Sequence, residues 1–258
     1  IGAMIMLLPI IWMFISSFKT SAEMLKVPPT FFPEKFSVDN WKLAFERLNL
    51  WKYLFNTMFV ALCVSFGQVI TSAIIGYVFA KFKFFFREGL FLFILTRMMI
   101  PFFIVVIPMY SLITKFKWVN TYQGLIVPWL LTTFGIFMMR QFMSGIPDEL
   151  IDAARIDGCS EFGIFRRVVL PLSVTAMAAL GVLVFVWEWN QFLWPLVVIT
   201  TDSMKTLPVG LAGLASPGEG IFEIALTAST FATIPAIVIF VIFQRYLTAG
   251  ISFTGIKE

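Results

Sequence analysis

Long apolar stretches separated by shorter polar ones dominate the pattern of this 258-residue chain. Several of them approach or exceed the roughly 20 residues that a helix needs to cross a bilayer. A soluble protein would have to bury all of them in one core, and there are too many for that. The pattern therefore predicts an all-α, polytopic membrane protein with six spanning helices. The six apolar runs are 1–18, 54–79, 90–113, 125–139, 172–199 and 224–243.

The sequence begins inside the first run. We therefore expect that the first helix is truncated at its start, or that a disordered segment before it is missing from the sequence. We expect no signal peptide, because no basic segment leads to a small-residue cleavage site. The predicted organisation is one transmembrane domain, 1–258, with a polar loop at 141–171. Prolines in the later runs suit either helices that hinge or ordinary helix packing, since neighbouring helices can satisfy the freed carbonyls. These prolines are Pro101, Pro108, Pro128, Pro195 and Pro235.

The composition supports the membrane interpretation and argues against several classes of enzyme. Hydrophobic residues make up 59% of the chain and charged residues 13%, against roughly 25% charged in soluble domains. There is no histidine, which removes the commonest general base and the commonest metal ligand. Cys63 lies within an apolar run and Cys159 in the polar loop, so we expect no disulfide. We therefore expect no catalytic residue and no metal site.

The basic residues are scattered between the apolar runs, which suits membrane borders better than a nucleic-acid surface. Six spans would place nine lysines and arginines on each side, with Arg97 inside a run, out of 19 in total. Because the two sides carry equal numbers of lysines and arginines, the count does not decide which side is cytoplasmic. Residues directly at run ends favour one side as cytoplasmic, namely Lys81, Lys83, Arg87 and Arg140.

The polar loop predicts a first short helix after residue 146. Pro147 suits the first helical position, where its missing N–H has no consequence. Asp148 and Glu149 follow in the first turn, where acidic side chains offset the positive end of the helix. Gly158 lies where a left-handed C-terminal cap is expected. These signals predict a helix of about eleven residues, roughly 16 Å long.

A second short helix is predicted directly after the first. Ser160 can cap it, and Glu161 favours its start. Pro171 then opens the fifth predicted span. We call residues 147–171 the elbow: two helices joined by a glycine turn and fused to a membrane helix. Such a unit could transmit a push into the membrane as a rigid-body motion.

The first helix of the elbow offers the surface of a docking site. Ala153 and Ala154 leave little side chain between the backbone and a partner. Carboxylates nearby could pair with arginine or lysine on a soluble protein; they are Asp148, Glu149, Asp152 and Asp157. An interfacial elbow without any partner remains an alternative. A DNA-binding helix-turn-helix has the same glycine turn. The first helix of the elbow is acidic, however, which does not suit binding to the negatively charged DNA backbone.

The loop also resembles a known motif. Asp152-Ala153-Ala154 is followed by three residues, then Gly158, then nine residues, then Val-Val-Leu-Pro at 168–171. This order and spacing resemble the EAA loop of ABC importer permeases. That loop consists of Glu-Ala-Ala, three residues, Gly, nine residues and Ile-x-Leu-Pro. The resemblance covers nearly the whole chain and looks like the second permease subunit of maltose-type carbohydrate importers. Further matching segments are 100–101, 107–110, 119–122, 134–137, 189–195 and 244–250.

This resemblance implies a type I ABC importer permease fold in a bacterial or archaeal plasma membrane, with six spans and both termini cytoplasmic. It implies a homologous permease as heterodimer partner, a cytoplasmic ABC ATPase dimer that docks on the coupling helix, and an extracellular solute-binding protein. Asp152 stands where the family has glutamate, one methylene longer, and the tail 251–258 departs from the family. The implied docking residues are Glu149, Asp152, Ala153, Ala154, Arg155, Asp157, Gly158, Leu170 and Pro171.

The fifth run contains polar residues that are costly in a membrane and usually face an interior or a cavity. On a continuous helix, Trp187, Asn190, Gln191 and Trp194 would share one face, with Glu188 beside them. Hydrogen-bonding groups next to aromatic faces suit a sugar path. Hydrogen bonds between helices, or an aromatic belt at the interface, are alternatives. Arg97 should bond an acid or a carbonyl, and Glu188 is one candidate.

The predicted function is that of a permease subunit that imports a carbohydrate, specifically an oligosaccharide. A glycerol phosphate importer is an alternative within the same frame. The chain lacks the GxxxxGK[ST] phosphate loop, so ATP and magnesium should bind to the partner ATPase and this chain should not be an enzyme. A transporter driven by an ion gradient is the other alternative. It would need internal repeats and a carboxylate relay, of which only Glu188 is visible.

Overall fold

The computed structural model describes residues 2–24, 26–215 and 221–252. This part of the chain is helical and contains no β-strand, which confirms the predicted all-α class. Its α-helices are α1 Gly2–Ser16, α2 Ser21–Met24, α3 Asp39–Arg47, α4 Leu50–Lys81, α5 Arg87–Thr96, α6 Phe102–Lys115, α7 Tyr122–Ile126, α8 Thr133–Ser144, α9 Asp148–Ile156, α10 Glu161–Ile164, α11 Leu170–Leu172, α12 Val174–Trp189, α13 Leu193–Val198, α14 Leu207–Ala212 and α15 Ile221–Ser252.

Two helices in the described residues are long and apolar enough to cross a membrane unbroken: α4 and, within α15, Phe222–Gln244. Three other predicted spans are bent pairs, and counting each pair as one span raises the number to five. The first run forms only a shorter apolar helix, so the count of six spans stays a prediction. The bent pairs are Arg87–Met99 with Phe102–Lys115 (100°), Tyr122–Trp129 with Thr133–Ser144 (40°), and Glu161–Leu172 with Val174–Trp189 (74°).

Proline chemistry explains the sharpest bend. Ile100 is extended, with φ −88° and ψ 112°, because a residue before proline is pushed out of the helical region. Pro101 then caps α6 instead of continuing α5. Pro108 and Pro235, in contrast, lie inside α6 and α15. The third run is therefore not the single straight helix that its hydropathy suggests.

Of two polar connections between the apolar runs, one differs from the structure that its sequence predicts and the other agrees with it. The glycine, proline and threonine content of 200–223 predicts a loop, but residues 207–212 form α14, which begins with Pro208 in its first turn after an extended Thr206. Proline is well suited to that position, so this part of the prediction was wrong. The sequence around 38–50 predicts a short amphipathic helix, and α3 is present there.

The chain divides into two compact units, Ile1–Met58 with Asn190–Ile239, and Phe59–Trp189 with Phe240–Glu258. We call them the first and second unit; a single domain over 1–258 stays a prediction. Aromatic rings of the first unit pack against one another around the buried Phe231. The ring of Phe231 meets those of Phe45 and Trp51 edge-on, with centroids 5.3 Å apart in both cases.

A polar cluster in the first unit fastens the segment before α14 to the start of α4. Tyr53 Oη and Asn49 Nδ2 donate to the two carboxylate oxygens of Asp202, each over 2.6 Å. The Nδ2 of Asn56 donates to two carbonyls of the same segment, over 2.9 and 2.8 Å. The Tyr53 hydroxyl, more than any other neighbour, lowers the pKa of Asp202 below its ordinary value.

Small residues let α4 and α8 approach closely in the second unit. A Cβ added at Gly76 would lie 2.9 Å from the backbone nitrogen of Arg140, and one at Gly135 would lie 2.2 Å from Ser72 Oγ. Glycine at such crossings is typical of membrane helices, whose association depends on close contact between backbones.

Arg140 joins α8 to α5 at one end of these helices. Its Nη2 donates to both oxygens of Glu88, over 2.8 and 2.7 Å. Its guanidinium also lies over the ring of Phe91, 3.8 Å from the centroid. This combination of a forked hydrogen bond and a cation–π contact fixes the start of α5.

Candidate functional site

The first helix of the elbow is present but shorter than predicted. Helix α9 runs from Asp148 to Ile156, nine residues in place of eleven, and Pro147 precedes it with ψ 133°. Placing Pro147 at the first helical position was therefore one residue early. Gly158 has φ 79°, which confirms the left-handed cap. The N–H groups of Gly158 and Cys159 donate to the carbonyls of Arg155 and Ala154, each over 3.0 Å, and so close the last turn.

The second helix begins as predicted but ends differently. Ser160 Oγ accepts the N–H of Gly163 over 3.2 Å, and the helix continues through a π-helical segment, Phe165–Val169, into α11. Pro171 lies inside α11, where it offers no N–H to the preceding turn. The bend of 74° follows at Ser173. The elbow therefore meets α12 at an angle, and the prediction that Pro171 opens the spanning helix was wrong.

Helix α9 has one inward and one outward face. Ile151 and Ala154 are buried, so of the two alanines only Ala153 is exposed. Ile156 is 87% exposed, although it is a large apolar residue. Spacing of three and four residues places the exposed side chains in one row. This outward face consists of Glu149, Asp152, Ala153 and Ile156.

A lysine at the end of α4 holds the start of the elbow. Lys81 Nζ donates to the carbonyl of Ile146 and, over 2.6 Å, to Asp148 Oδ1. The Lys81 side chain is only 5% exposed, so these oxygens take the place of water around its ammonium group. The same hydrogen bond lowers the pKa of Asp148 below its ordinary value. The first helix of the elbow is thereby fastened to an unbroken span.

Arg155 links the two helices of the elbow. Its Nε and Nη2 donate to the carboxylate of Glu161, over 2.7 and 3.3 Å, and its Nη1 donates to Asp152 over 2.9 Å. Glu161, more than any other neighbour, raises the pKa of Arg155. On the other side, Tyr77 Oη donates to Glu161 over 3.4 Å, and the Tyr77 ring lies 5.2 Å from that of Phe165. Asp152 is thus already held within the chain.

Sequence reasoning missed Lys81 and Tyr77 as parts of this site. They lie 65 to 84 positions from their partners, and nothing in the loop sequence indicates which span it touches. Of the other predicted docking residues, Asp157 and Pro171 are exposed and Leu170 is half-buried. The tail 251–258 lies outside the residues whose side chains the structure describes.

The predicted substrate path is not one continuous helix. Helix α12 ends at Trp189, and α13 begins at Leu193, so the shared helical face proposed for Trp187, Asn190, Gln191 and Trp194 was wrong. Trp187 and Glu188 line a cavity of about 600 Å³ in the second unit. The other three, Asn190, Gln191 and Trp194, belong to the first unit, where Trp194 is fully buried.

Arg97 lies on the same cavity wall, in a 3₁₀ turn between α5 and α6. Its Nη1 donates to the carbonyl of Leu131 over 3.3 Å, which confirms a carbonyl partner. The structure gives no ion pair between Arg97 and Glu188 in the described residues. Cys63 and Cys159 are both free, as their positions predicted.

Bent apolar helices that carry a polar elbow, itself tied to the end of a span, define a membrane-embedded transport subunit. The chain belongs to the family described as "binding-protein-dependent transport system inner membrane component", which it matches over residues 68–253. This membership makes it an inner membrane component of a transport system that works with a solute-binding protein.

Named relatives match almost the full chain. The arabinooligosaccharides transport system permease protein AraQ of Halalkalibacterium halodurans is 36% identical, covering 99% of this chain and 92% of the relative. AraQ of Bacillus subtilis is 34% identical over the same shares. The sn-glycerol-3-phosphate transport system permease protein UgpE of Agrobacterium fabrum is 32% identical, covering 97% of this chain and 92% of that protein.

A solved structure has the same fold. It is the crystal structure of a bacterial ABC transporter involved in the import of the acidic polysaccharide alginate. One of its chains superposes with a TM-score of 0.86, covering 95% of this chain and 92% of that one, at 20% sequence identity. At this identity the likeness concerns the fold alone, which is that of an ABC importer permease.

Proposed function

We propose that this chain is the permease subunit of an ATP-driven ABC importer that moves an uncharged oligosaccharide into the cell. Family membership supports the importer, and the names of the relatives at 36% and 34% identity support the oligosaccharide. Glycerol phosphate is the second candidate, since relatives at 32% identity carry that name. Glu188 lies on the cavity wall, where its ionised form would repel an anionic solute and so favour the uncharged one.

The observation that carries the proposed mechanism is the double attachment of the elbow. Lys81 and Tyr77, one turn apart on α4, hold its first and second helix respectively. A force applied to the outward face of α9 therefore reaches an unbroken span without relying on loop stiffness. In this mechanism a cytoplasmic ATPase dimer grips that face, and closure of the dimer on ATP moves α4.

The remaining parts of the assembly follow from this mechanism. A homologous permease completes the pathway, and an extracellular binding protein delivers the sugar. ATP and magnesium bind to the ATPase subunits. Both termini and the elbow lie on the cytoplasmic side of six spans. Trp187 and Glu188, at the end of α12 in the second unit, line the path.

Co-purification tests the docking surface. Ala153→Trp places a large side chain on the outward face of α9, and we expect the ATPase to be lost during purification from membranes. Ala22→Trp is the matched control, because Ala22 is also an exposed helical alanine but lies on α2. Retention of the ATPase by Ala153→Trp would contradict docking on this face.

The energy source is tested separately in proteoliposomes that contain both permeases, the ATPase and the binding protein. We expect uptake of arabinotriose to require ATP and to persist when ionophores dissipate proton and sodium gradients. Uptake that stops with the gradients while ATP is present would favour the gradient-driven alternative. Uptake of sn-glycerol 3-phosphate in place of arabinotriose would favour the second candidate substrate.

A further inference from the structure

The cavity in the second unit has the size of a ligand site. Its volume is about 600 Å³, and small-molecule sites span roughly 300–1,000 Å³. Its walls come from α4, from the break between α5 and α6, from the break between α7 and α8, and from the end of α12. Three broken or ending helices around one space are consistent with a site, because breaks at membrane depth persist where they line a cavity.

Two buried polar side chains face this cavity without a partner. Glu188 is 6% exposed and Gln68 is 5% exposed, and both line the cavity. Neither side chain has a hydrogen bond or ion pair to another residue in the described part of the chain. Such groups are costly inside a protein unless something satisfies them. A carboxyl group accepts, and also donates when it is protonated, while an amide both donates and accepts, so together they suit hydroxyl groups.

Aromatic surfaces complete the wall. The indole of Trp187 is largely exposed. Trp129 also lines the cavity, beside Phe102, with ring centroids 5.3 Å apart. Mostly apolar walls with a few polar groups are typical of sites for small molecules. A sugar ring presents an apolar face to an indole and hydroxyl groups at its edge, which matches this lining.

The charges of the cavity distinguish between kinds of solute. Arg97 is exposed and already donates to a carbonyl, while Glu188 is buried and unpaired. In its ionised form this acid would act more strongly than Arg97 on a solute beside it, because a charge acts more strongly where water is excluded. A phosphate or carboxylate group would be repelled there, and repulsion is an effective source of specificity.

We propose that this cavity is a solute-binding site of the present subunit, that it takes one uncharged sugar residue through Gln68, Glu188, Trp129 and Trp187, and that Glu188 excludes anionic solutes. The site deepens the proposed function and rests on it. Gln68, which the sequence pattern hides in the middle of an apolar run, is assigned here as a hydrogen-bonding residue. Glu188 is assigned as the residue that determines specificity.

Calorimetric titration of the assembled transporter in lipid nanodiscs, without binding protein, tests the site with two probes. The first is arabinotriose; the second is its aldonate, which has the same length and one carboxylate. We expect Gln68→Ala to weaken arabinotriose binding about ten-fold, the value of one to two hydrogen bonds. We expect Glu188→Gln to retain arabinotriose binding and to gain measurable binding of the aldonate.

Glu223→Gln is the matched control, since Glu223 is a buried acid of α15 in the first unit; it should leave both titrations unchanged. Arabinotriose binding that is unaffected in Gln68→Ala, or an aldonate that remains excluded by a folded Glu188→Gln transporter, would overturn the proposal. If Gln68→Ala fails to assemble, the gain of aldonate binding by Glu188→Gln still decides.

Uptake by the wild-type transporter separates this proposal from the function on which it rests. ATP-dependent arabinotriose uptake together with unchanged titrations in both variants would reject the site and leave the importer intact. Absence of sugar uptake by the wild-type assembly would reject the proposed substrate class itself.

Discussion

Lys81, the last residue of α4, donates a hydrogen bond of 2.6 Å to Asp148, the first residue of α9, across 67 positions of sequence. The lysine is buried and the aspartate is exposed. The contact therefore connects a membrane span to a surface helix at the point where that helix begins. Because Lys81 also donates to the carbonyl of Ile146, it holds the backbone just before the elbow as well as the side chain of Asp148.

Loss of Lys81 should uncouple ATP hydrolysis from transport. We expect Lys81→Met, which keeps much of the apolar stem, to lower sugar uptake several-fold while ATP hydrolysis continues, because α9 can then move without moving α4. The ratio of sugar imported to ATP hydrolysed in proteoliposomes measures this. Asp148→Asn should have a smaller effect, since the bond to Ile146 survives. A normal ratio in Lys81→Met would contradict the role of this contact.

Gly158 should matter for its backbone conformation alone. A Cβ there would meet nothing within 4 Å, but φ is 79°, so Gly158→Ala should destabilise the turn by about 1–2 kcal/mol. Gly145→Ala is the control: Gly145 caps α8 at φ −80°, where alanine is unstrained. Thermal unfolding in detergent compares the two variants. Equal midpoints would show that the left-handed turn tolerates a side chain.

Gly76 should be intolerant of even one methyl group. Its Cβ would lie 2.9 Å from backbone at Arg140, and forcing α4 and α8 apart should cost about 3 kcal/mol. Gly181→Ala on α12 is the control, because its Cβ would make an ordinary contact of 3.5 Å with Val69. We expect Gly76→Ala to reduce the yield of folded protein and Gly181→Ala to retain it. The reverse order would disprove the close approach of α4 and α8.

The contact between Tyr53 and Asp202 should make stability depend on pH. The pKa of Asp202 is lowered in the folded state, so its contribution to stability is complete above the ordinary aspartate pKa of about 3.9. It is lost as the pH falls through the lower, folded pKa. Thermal unfolding between pH 7 and about pH 3 should therefore show a steeper acid loss in wild type than in Asp202→Asn. Parallel profiles would exclude this contribution.

The elbow shows which structural features can be predicted from residues that are close together in the sequence. The acidic first turn, the left-handed glycine and the serine cap are all read from neighbouring residues, because capping involves groups within about four positions. The structure confirms both short helices from these signals. It also shifts the start of α9 by one residue, since Pro147 can occupy either the cap or the first turn.

Hydropathy alone did not predict where the apolar runs bend or break. An apolar run has the same composition whether it forms a straight span or two helices at 100°, and proline permits both outcomes: Pro101 breaks a run, whereas Pro108 lies inside a helix. The end of α12 at Trp189 likewise separated residues that a continuous helix would have aligned. Which proline breaks a helix depends on what the neighbouring helices offer to the freed carbonyls.

The sequence by itself determined the all-helical membrane class, the two helices of the elbow and the motif spacing that indicated the family, because each depends on composition or on residues close together in the chain. Only the tertiary structure decided that Lys81 and Tyr77 hold the elbow, that Ala154 faces inward, and that Gln68 joins Glu188 at one cavity. Those relationships connect positions separated by up to 120 residues in the chain, and they exist only because helices pack side by side.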